Sequence, residues 1–171
     1  MTRFARILTA TAVATAAFTA APALATPVGA TTPATAKAQI VKPLSLTAKT
    51  NMDFGTILLS SIAAGTTYTV TLTSAGALSC TAGLTCSATG IPATFNVAGS
   101  KSQLVHIYTA ASNFTNGTST LQIAPSAVAT LTLGNSGAPG TDFNVGASFQ
   151  IDSLTSEGLY TGNLNVTVDY N

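Results

Sequence analysis

The chain predicts an all-β fold, an antiparallel sandwich of two sheets, with a closed barrel as the alternative. Apolar residues recur at every second position in several windows, the period of a pleated strand with one face buried. Clusters of Gly, Pro, Ser and Asn cut the sequence into about eight or nine short strands, a spacing typical of sandwiches and barrels. After residue 25 no window sustains helical periodicity.

Residues 1–25 stand apart from this pattern. Arg3 and Arg6 precede and open an apolar run from Ile7 to Ala21, and Pro22 with Ala23-Leu24-Ala25 closes it. A basic start, a short apolar middle and a small-x-small end form a secretory signal peptide, expected to be cleaved after Ala25, with an uncleaved anchor as the alternative. Thr9, Thr11, Thr15 and Thr19 interrupt the run, which is too short and weak for a stable membrane span. The protein is therefore expected to be secreted, to the periplasm, the cell surface or the medium. Thr26 to Ala36 contain Thr, Pro, Ala, Gly and a single valine, Val28, with no charged residue. Without long side chains to anchor it, this segment reads as a flexible N-terminal extension. The folded domain is placed at residues 37–171.

Ile40, Val41, Leu44 and Leu46 are interrupted by Lys42-Pro43. Proline cannot donate to a ladder, so an edge strand or two short strands are expected there. Asn51-Met52-Asp53-Phe54-Gly55 then turns the chain towards Ile57-Leu58-Leu59. Between Thr66 and Thr73, Tyr68, Val70 and Leu72 alternate with threonines, whose β-branch suits a half-exposed pleat. Phe95 and Val97 form the inward face of the next strand, and further strands are expected at 103–109, 121–124 and 127–133. Gly134 to Gly140 is a flexible loop by its turn residues. From Asp142 to Asp152, Phe143, Val145, Ala147, Phe149 and Ile151 share one face. Ser153 to Gly158 turn the chain into the last strand, where Leu164, Val166, Val168 and Tyr170 oppose Asn163, Asn165, Thr167 and Asp169. This is among the cleanest alternations in the chain, and with nothing after it to protect its edge it is a template for pairing with another chain. With no Trp, the core falls to Val, Leu, Ile, Phe and Ala, and an immunoglobulin-like sandwich is the favoured arrangement.

Charge excludes one class of partner. Without Arg3 and Arg6, four lysines face five carboxylates, a net charge of −1. So sparse and balanced a set lacks the basic footprint of nucleic-acid binding, and it leaves little repulsion between copies. Cys80 and Cys86 flank Thr-Ala-Gly-Leu-Thr. In an exported chain so close a pair reads as a disulfide across a hairpin or loop. A zinc site is the alternative, but with one distant His the donor set falls short of four ligands. No metal or other cofactor is expected.

Catalysis finds no foothold either. His106, in Leu104-Val105-His106-Ile107-Tyr108, is a solvent-face or satisfied core residue according to register, and as a base it would need an acid or nucleophile that the sequence does not point to. There is no Gly-x-Ser-x-Gly elbow. Asp152 and Glu157 are the closest carboxylates, and their place in a turn fits capping better than a glycosidase pair. Asp142 alone is a poor start for a calcium site. The sequons at Asn113, Asn116 and Asn165 are expected by chance in a Thr-rich chain. The protein is expected not to be an enzyme.

The series Ala36-x-Ala38-x-Ile40-x-x-Pro43-Leu44-x-Leu46-Thr47, then Met52-Asp53-Phe54-Gly55, then Gly158-x-Tyr160-x-Gly162-x-x-x-Val166-Thr167-Val168-x-Tyr170-Asn171, resembles domain-of-unknown-function family 4402 of exported Gram-negative proteins. The resemblance spans Ala36 to Asn171 and brings no function with it. More distantly, the chain is similar to chaperone–usher pilins and spore-coat-U-like subunits. Their sandwich lacks its last strand, which a neighbour's N-terminal extension supplies. Their final strands carry a penultimate aromatic and a Gly fourteenth from the end, matched here by Tyr170 and Gly158. That resemblance implies a fimbria- or pilus-like surface subunit assembled by strand exchange. Gly158, Leu164, Val166, Val168 and Tyr170 would face the incoming strand, and copies of itself, related subunits and a periplasmic chaperone would be the partners. The sequence departs from the pilins at the donor: residues 26–36 offer only Val28 as a sizeable apolar side chain, and Ala38 to Lys42 could instead fill the gap from within. The alternative function is a self-contained binding module for glycans or matrix, which would need an exposed platform drawn from Tyr68, Tyr108, Tyr160 and Tyr170.

Overall fold

A computed structural model describes residues 27–171; the expected signal peptide lies outside the described residues. The chain divides at Ala38 into two compact units, and residues 39–171 hold every named strand. Residues 27–38 contain no strand and are exposed throughout.

The strands are β1 (Ser45–Thr50), β2 (Ile57–Leu59), β3 (Tyr68–Leu72), β4 (Leu78–Cys80), β5 (Leu84–Cys86), β6 (Ala93–Ala98), β7 (Leu104–Ala110), β8 (Ser112–Thr115), β9 (Thr120–Ala127), β10 (Thr130–Thr132), β11 (Thr141–Ile151), β12 (Thr161–Gly162) and β13 (Asn165–Tyr170). All strand pairs are antiparallel. The class read from the sequence is correct: the domain is all-β, in layers consistent with a sandwich. Among the described residues no helix is long and apolar enough to cross a membrane.

The long strand β11 organises the larger sheet, which runs β1-β6-β11-β9-β8-β12. Its first half pairs with β6 through Thr141–Val145, and its second half pairs with β3 through Ala147–Ile151. Gly146 stands where the partner changes, and a Cβ there would collide with Leu72 O, so only glycine lets the two neighbours meet at this point. The alternation read over 142–152 is reproduced: Phe143, Val145, Ala147, Phe149 and Ile151 are all buried. So is that of β3, where Tyr68, Val70 and Leu72 are buried between threonines.

Two clusters form along the inner face of β11. The first joins Phe143 and Val145 to Ala93, Val97, Val105, Ile107 and Leu133. It is roofed by the three-stranded sheet β10-β7-β13. The second joins Phe149 and Ile151 to Tyr68 and Val70, with Phe54, Ile57, Leu84 and Phe114 packed against them. Its cover is a two-stranded ribbon, β2-β5, tied to β4 by the Cys80–Cys86 disulfide.

The edges decide what the domain can do. β1 pairs only with β6, and β13 only with β7. Asn171 N–H donates to Leu104 O at 3.2 Å. By the alternation of an antiparallel ladder, Val166, Val168 and Tyr170 therefore turn their N–H and C=O groups away from β7. Val166, Val168 and Tyr170 also face the core with their side chains, yet each is only half-buried, as are Leu44 and Leu46 on the β1 side. Of the two arrangements expected around the Lys42-Pro43 break, the edge strand forms: β1 starts at Ser45 and pairs only with β6, while residues 39–43 form no strand and Ile40 is 94% exposed.

Candidate functional site

The seam between the β1 and β13 edges is closed at one end and open at the other. At the closed end the Tyr170 hydroxyl donates to Lys42 O at 2.6 Å and accepts from Ser100 N–H at 2.8 Å. The close approach of Gly99 to that hydroxyl leaves no room for a side chain at residue 99. Tyr170 therefore latches the end of β13 to the chain just ahead of β1.

Towards the start of β13 the two walls diverge around a cleft of about 1210 Å³. One wall is the chain from Ala48 to Leu59, the other the chain from Thr155 to Leu164. Between them runs an aromatic ladder. Phe54 packs edge-on against Phe149 at 4.9 Å, Phe149 meets Phe114 at 5.0 Å, and Phe114 meets Tyr160 at 5.8 Å. Leu121, Ile123 and Ile151 complete the apolar floor. This floor lies beside the second core cluster, under the part of β11 that the three-stranded sheet does not reach. The volume exceeds the roughly 300–1,000 Å³ typical of small-ligand pockets.

The residues singled out from the sequence fall along this seam. Gly158 and Leu164 line the cleft, while Val166, Val168 and Tyr170 continue from it along β13. Gly158 holds φ +134°, a conformation that side chains rarely adopt, beside Asn116. Asn116 Nδ2 donates to Glu157 O at 2.8 Å and fixes that bend. The Met52-Asp53-Phe54-Gly55 stretch forms the opposite wall: the Asp53 carboxylate accepts Gly55 N–H at 2.7 Å, and its backbone exchanges two hydrogen bonds with Ile91. The aromatic ladder was not legible from sequence, because its rings come from four separate stretches; the β8–β9–β11 register brings Phe114 to Phe149, and Phe54 and Tyr160 reach them from outside these strands.

Elsewhere three carboxylates are engaged in local structure. Asp152 Oδ1 accepts Leu154 N–H at 2.9 Å and Thr155 Oγ1–H at 3.0 Å, so this carboxylate caps its turn. Asp142 accepts from Lys49 Nζ at 2.6 Å and from Asn96 Nδ2, and these hydrogen bonds hold its carboxyl below the usual range. The register sets Asp169 opposite His106, an acid the sequence did not point to, but its Oδ1 takes Tyr170 N–H and the ring reaches Asn171 Oδ1 at 3.1 Å. Among the described residues no three His, Cys, Asp or Glu side chains come together as a metal set.

The cleft walls contain Met52–Gly55 and the start of the Gly158–Asn171 stretch, two of the three stretches that carry the family resemblance, and comparison with known families agrees with that resemblance. A family model described as "Domain of unknown function (DUF4402)" matches residues 44–170. The chain belongs to this family. The DUF4402 match covers β1 to β13 and so takes in both walls, the floor and Tyr170 itself. Neither a curated protein nor a solved structure matches the chain.

Proposed function

We propose that this DUF4402 protein is an exported, non-catalytic structural subunit of a fimbria-like surface assembly, joined to its neighbours by β-strand exchange. What carries the reading is the open seam: two unpaired edges flank half-buried apolar side chains and a cleft floored by Phe54, Phe149, Phe114 and Tyr160. A strand added to β13 would satisfy the outward amides of Val166 and Val168 and cover the apolar floor in one step. Main-chain hydrogen bonds then supply affinity, and alternate side chains supply register. The short Cys80–Cys86 loop suits an exported protein.

The alternative, a binding module for glycans or matrix, finds less support. Tyr68 is buried, the Tyr170 hydroxyl is committed to the latch, and Tyr160 packs on Phe114 with its hydroxyl donating to Ser156 O. That leaves Tyr108, 57% exposed, as the one available tyrosine, stacked only with the His106 ring at 6.1 Å.

Sedimentation velocity of the secreted form over a range of concentrations, with electron microscopy of the fastest species, tests the proposal. Linear oligomers are expected. A monomer at every concentration that gains mass only with a glycan would replace this reading with the alternative.

A further inference from the structure

The two ends of β11 carry complementary features that lie apart from the β13 seam. β11 has 11 residues and spans up to about 36 Å at about 3.3 Å per residue. Just ahead of it, residues 137–139 form one side of a pocket of about 320 Å³, with Lys42, Pro43 and Ala98 on the other. The pocket is preformed. Gly137 N–H donates to Gly99 O at 2.8 Å, Gly140 N–H to Gly137 O at 3.0 Å, and Lys101 N–H to Ser136 Oγ at 3.0 Å. Just past the other end of β11, Leu154 stands 86% exposed, the most exposed large apolar side chain of residues 44–171. Its turn is as fixed as the pocket. The Asp152 carboxylate accepts Leu154 N–H, Thr155 N–H donates to Asp152 O at 3.2 Å, and the Ser119 and Ser156 hydroxyls share a hydrogen bond at 2.8 Å. A leucine held out to water on a rigid turn has already given up the backbone freedom that docking would otherwise cost.

We infer that Leu154 of one copy seats in the pocket beside Pro139 of the next, so that a second copy of this chain is the partner of both ends. The turn and the pocket lie at opposite limits of one extended strand, so a chain cannot fill its own pocket. Charge selects the same pairing. Lys49 is paired with Asp142, and among the described residues Lys42 and Lys101 form no ion pair. Lys42 lines the pocket with its ammonium beside Gly137, and Lys101 is tied to the pocket rim through Ser136. At the other end Asp152 and Glu157 flank Leu154, and residues 152–159 carry no lysine or arginine. Seating Leu154 therefore brings two acids towards two lysines, which steers the encounter and rejects the docking of like ends. A side chain that fits a pocket elsewhere on an identical molecule makes a heterologous contact, which builds an open filament unless its rotation closes a ring. This contact uses neither the β13 edge nor the cleft floor, and it stands or falls separately from strand exchange.

The test compares residues 26–171 with single variants by sedimentation velocity at low and high salt, and probes the contact directly by cross-linking. Leu154→Arg keeps the hydrogen bonds of the turn and is expected to weaken association about 10- to 100-fold, the loss of one buried leucine side chain. Leu154→Met associates like the parent. Lys42→Glu and Glu157→Lys are each expected to weaken association about threefold at low salt and less at high salt. Mixing these two variants recovers it, because each then meets an opposite charge at both ends. A chain with Leu154→Cys, mixed with a chain with Ala138→Cys under mild oxidation, is expected to give cross-linked pairs. The control replaces Ala138→Cys by Val128→Cys, an exposed site outside the pocket, and yields few. Association of Leu154→Arg at the parent's level, or cross-linking no better than the control, would overturn the contact. Protection of the Val166 and Val168 amides in such assemblies would then leave strand exchange standing alone. A parent that stays monomeric at every concentration would overturn both.

Discussion

Single side chains show where the domain is finished and where it is not. Tyr170 is a finished contact: its hydroxyl serves one donor and one acceptor from chain segments far apart in sequence. Tyr170→Phe leaves both groups unpaired and is expected to cost about 1–3 kcal/mol in urea unfolding, while the ring stays in place. Phe149 is the centre of the aromatic ladder, touching Phe54 and Phe114 and buried itself. Phe149→Ala is expected to lose about 3–5 kcal/mol, because the void joins an open cleft that cannot collapse around it. Asp142 gives a pH signature. Its carboxyl is held below the usual range by hydrogen bonds from Lys49 and Asn96, so its contribution is present above the ordinary Asp value and is lost as pH falls through its lowered value. The stability gap between the parent and Asp142→Asn is therefore expected to be level at neutral pH and to vanish on acidification, and to shrink in high salt, as followed by thermal melts. Which side chains point inward was readable from alternation alone; what they touch was not, since Phe114 meets Phe149 only through the register of β8 on β9 on β11.

At the level of elements, β3, β11 and β13 were fully legible, because each places apolar groups at every second position over five or more residues. The short pieces were not. β2 and β5 each have three residues, too few to display a period, and they pair across a long stretch of chain. Around the Lys42-Pro43 break the choice between an edge strand and two short strands was left open by the sequence; the structure has the edge strand alone, β1, beginning at Ser45. The disulfide read from Cys80 and Cys86 is present, with Cα atoms 6.4 Å apart, and it joins β4 of the large sheet to β5 of the ribbon beside the cleft. On the chain-entropy estimate, closing so short a loop is worth about 2.4 kcal/mol. Replacing both cysteines by serine is expected to lower the urea midpoint by that amount divided by the m-value, without unfolding the domain at room temperature.

For the whole molecule, the open side is the outcome of the topology. The three-stranded sheet covers the first half of β11 and ends at β13, so the seam between β13 and β1 is left with paired edges on its outer flanks and unpaired ones within. The charges are divided too, with Lys42 and Lys101 by the start of β11 and Asp152 and Glu157 past its end. Overall composition concealed that division, because opposite charges nearly cancel and only the position of each reveals it. The central claim is that an incoming strand occupies the edge of β13. Amide hydrogen exchange at Val166 and Val168, measured on residues 26–171 from dilute to concentrated solution, tests it most directly. The two amides are expected to exchange fast in the dilute monomer and to become protected together as assemblies form; equally fast exchange at every concentration, with assemblies present, would show that β13 is not the edge they are built on.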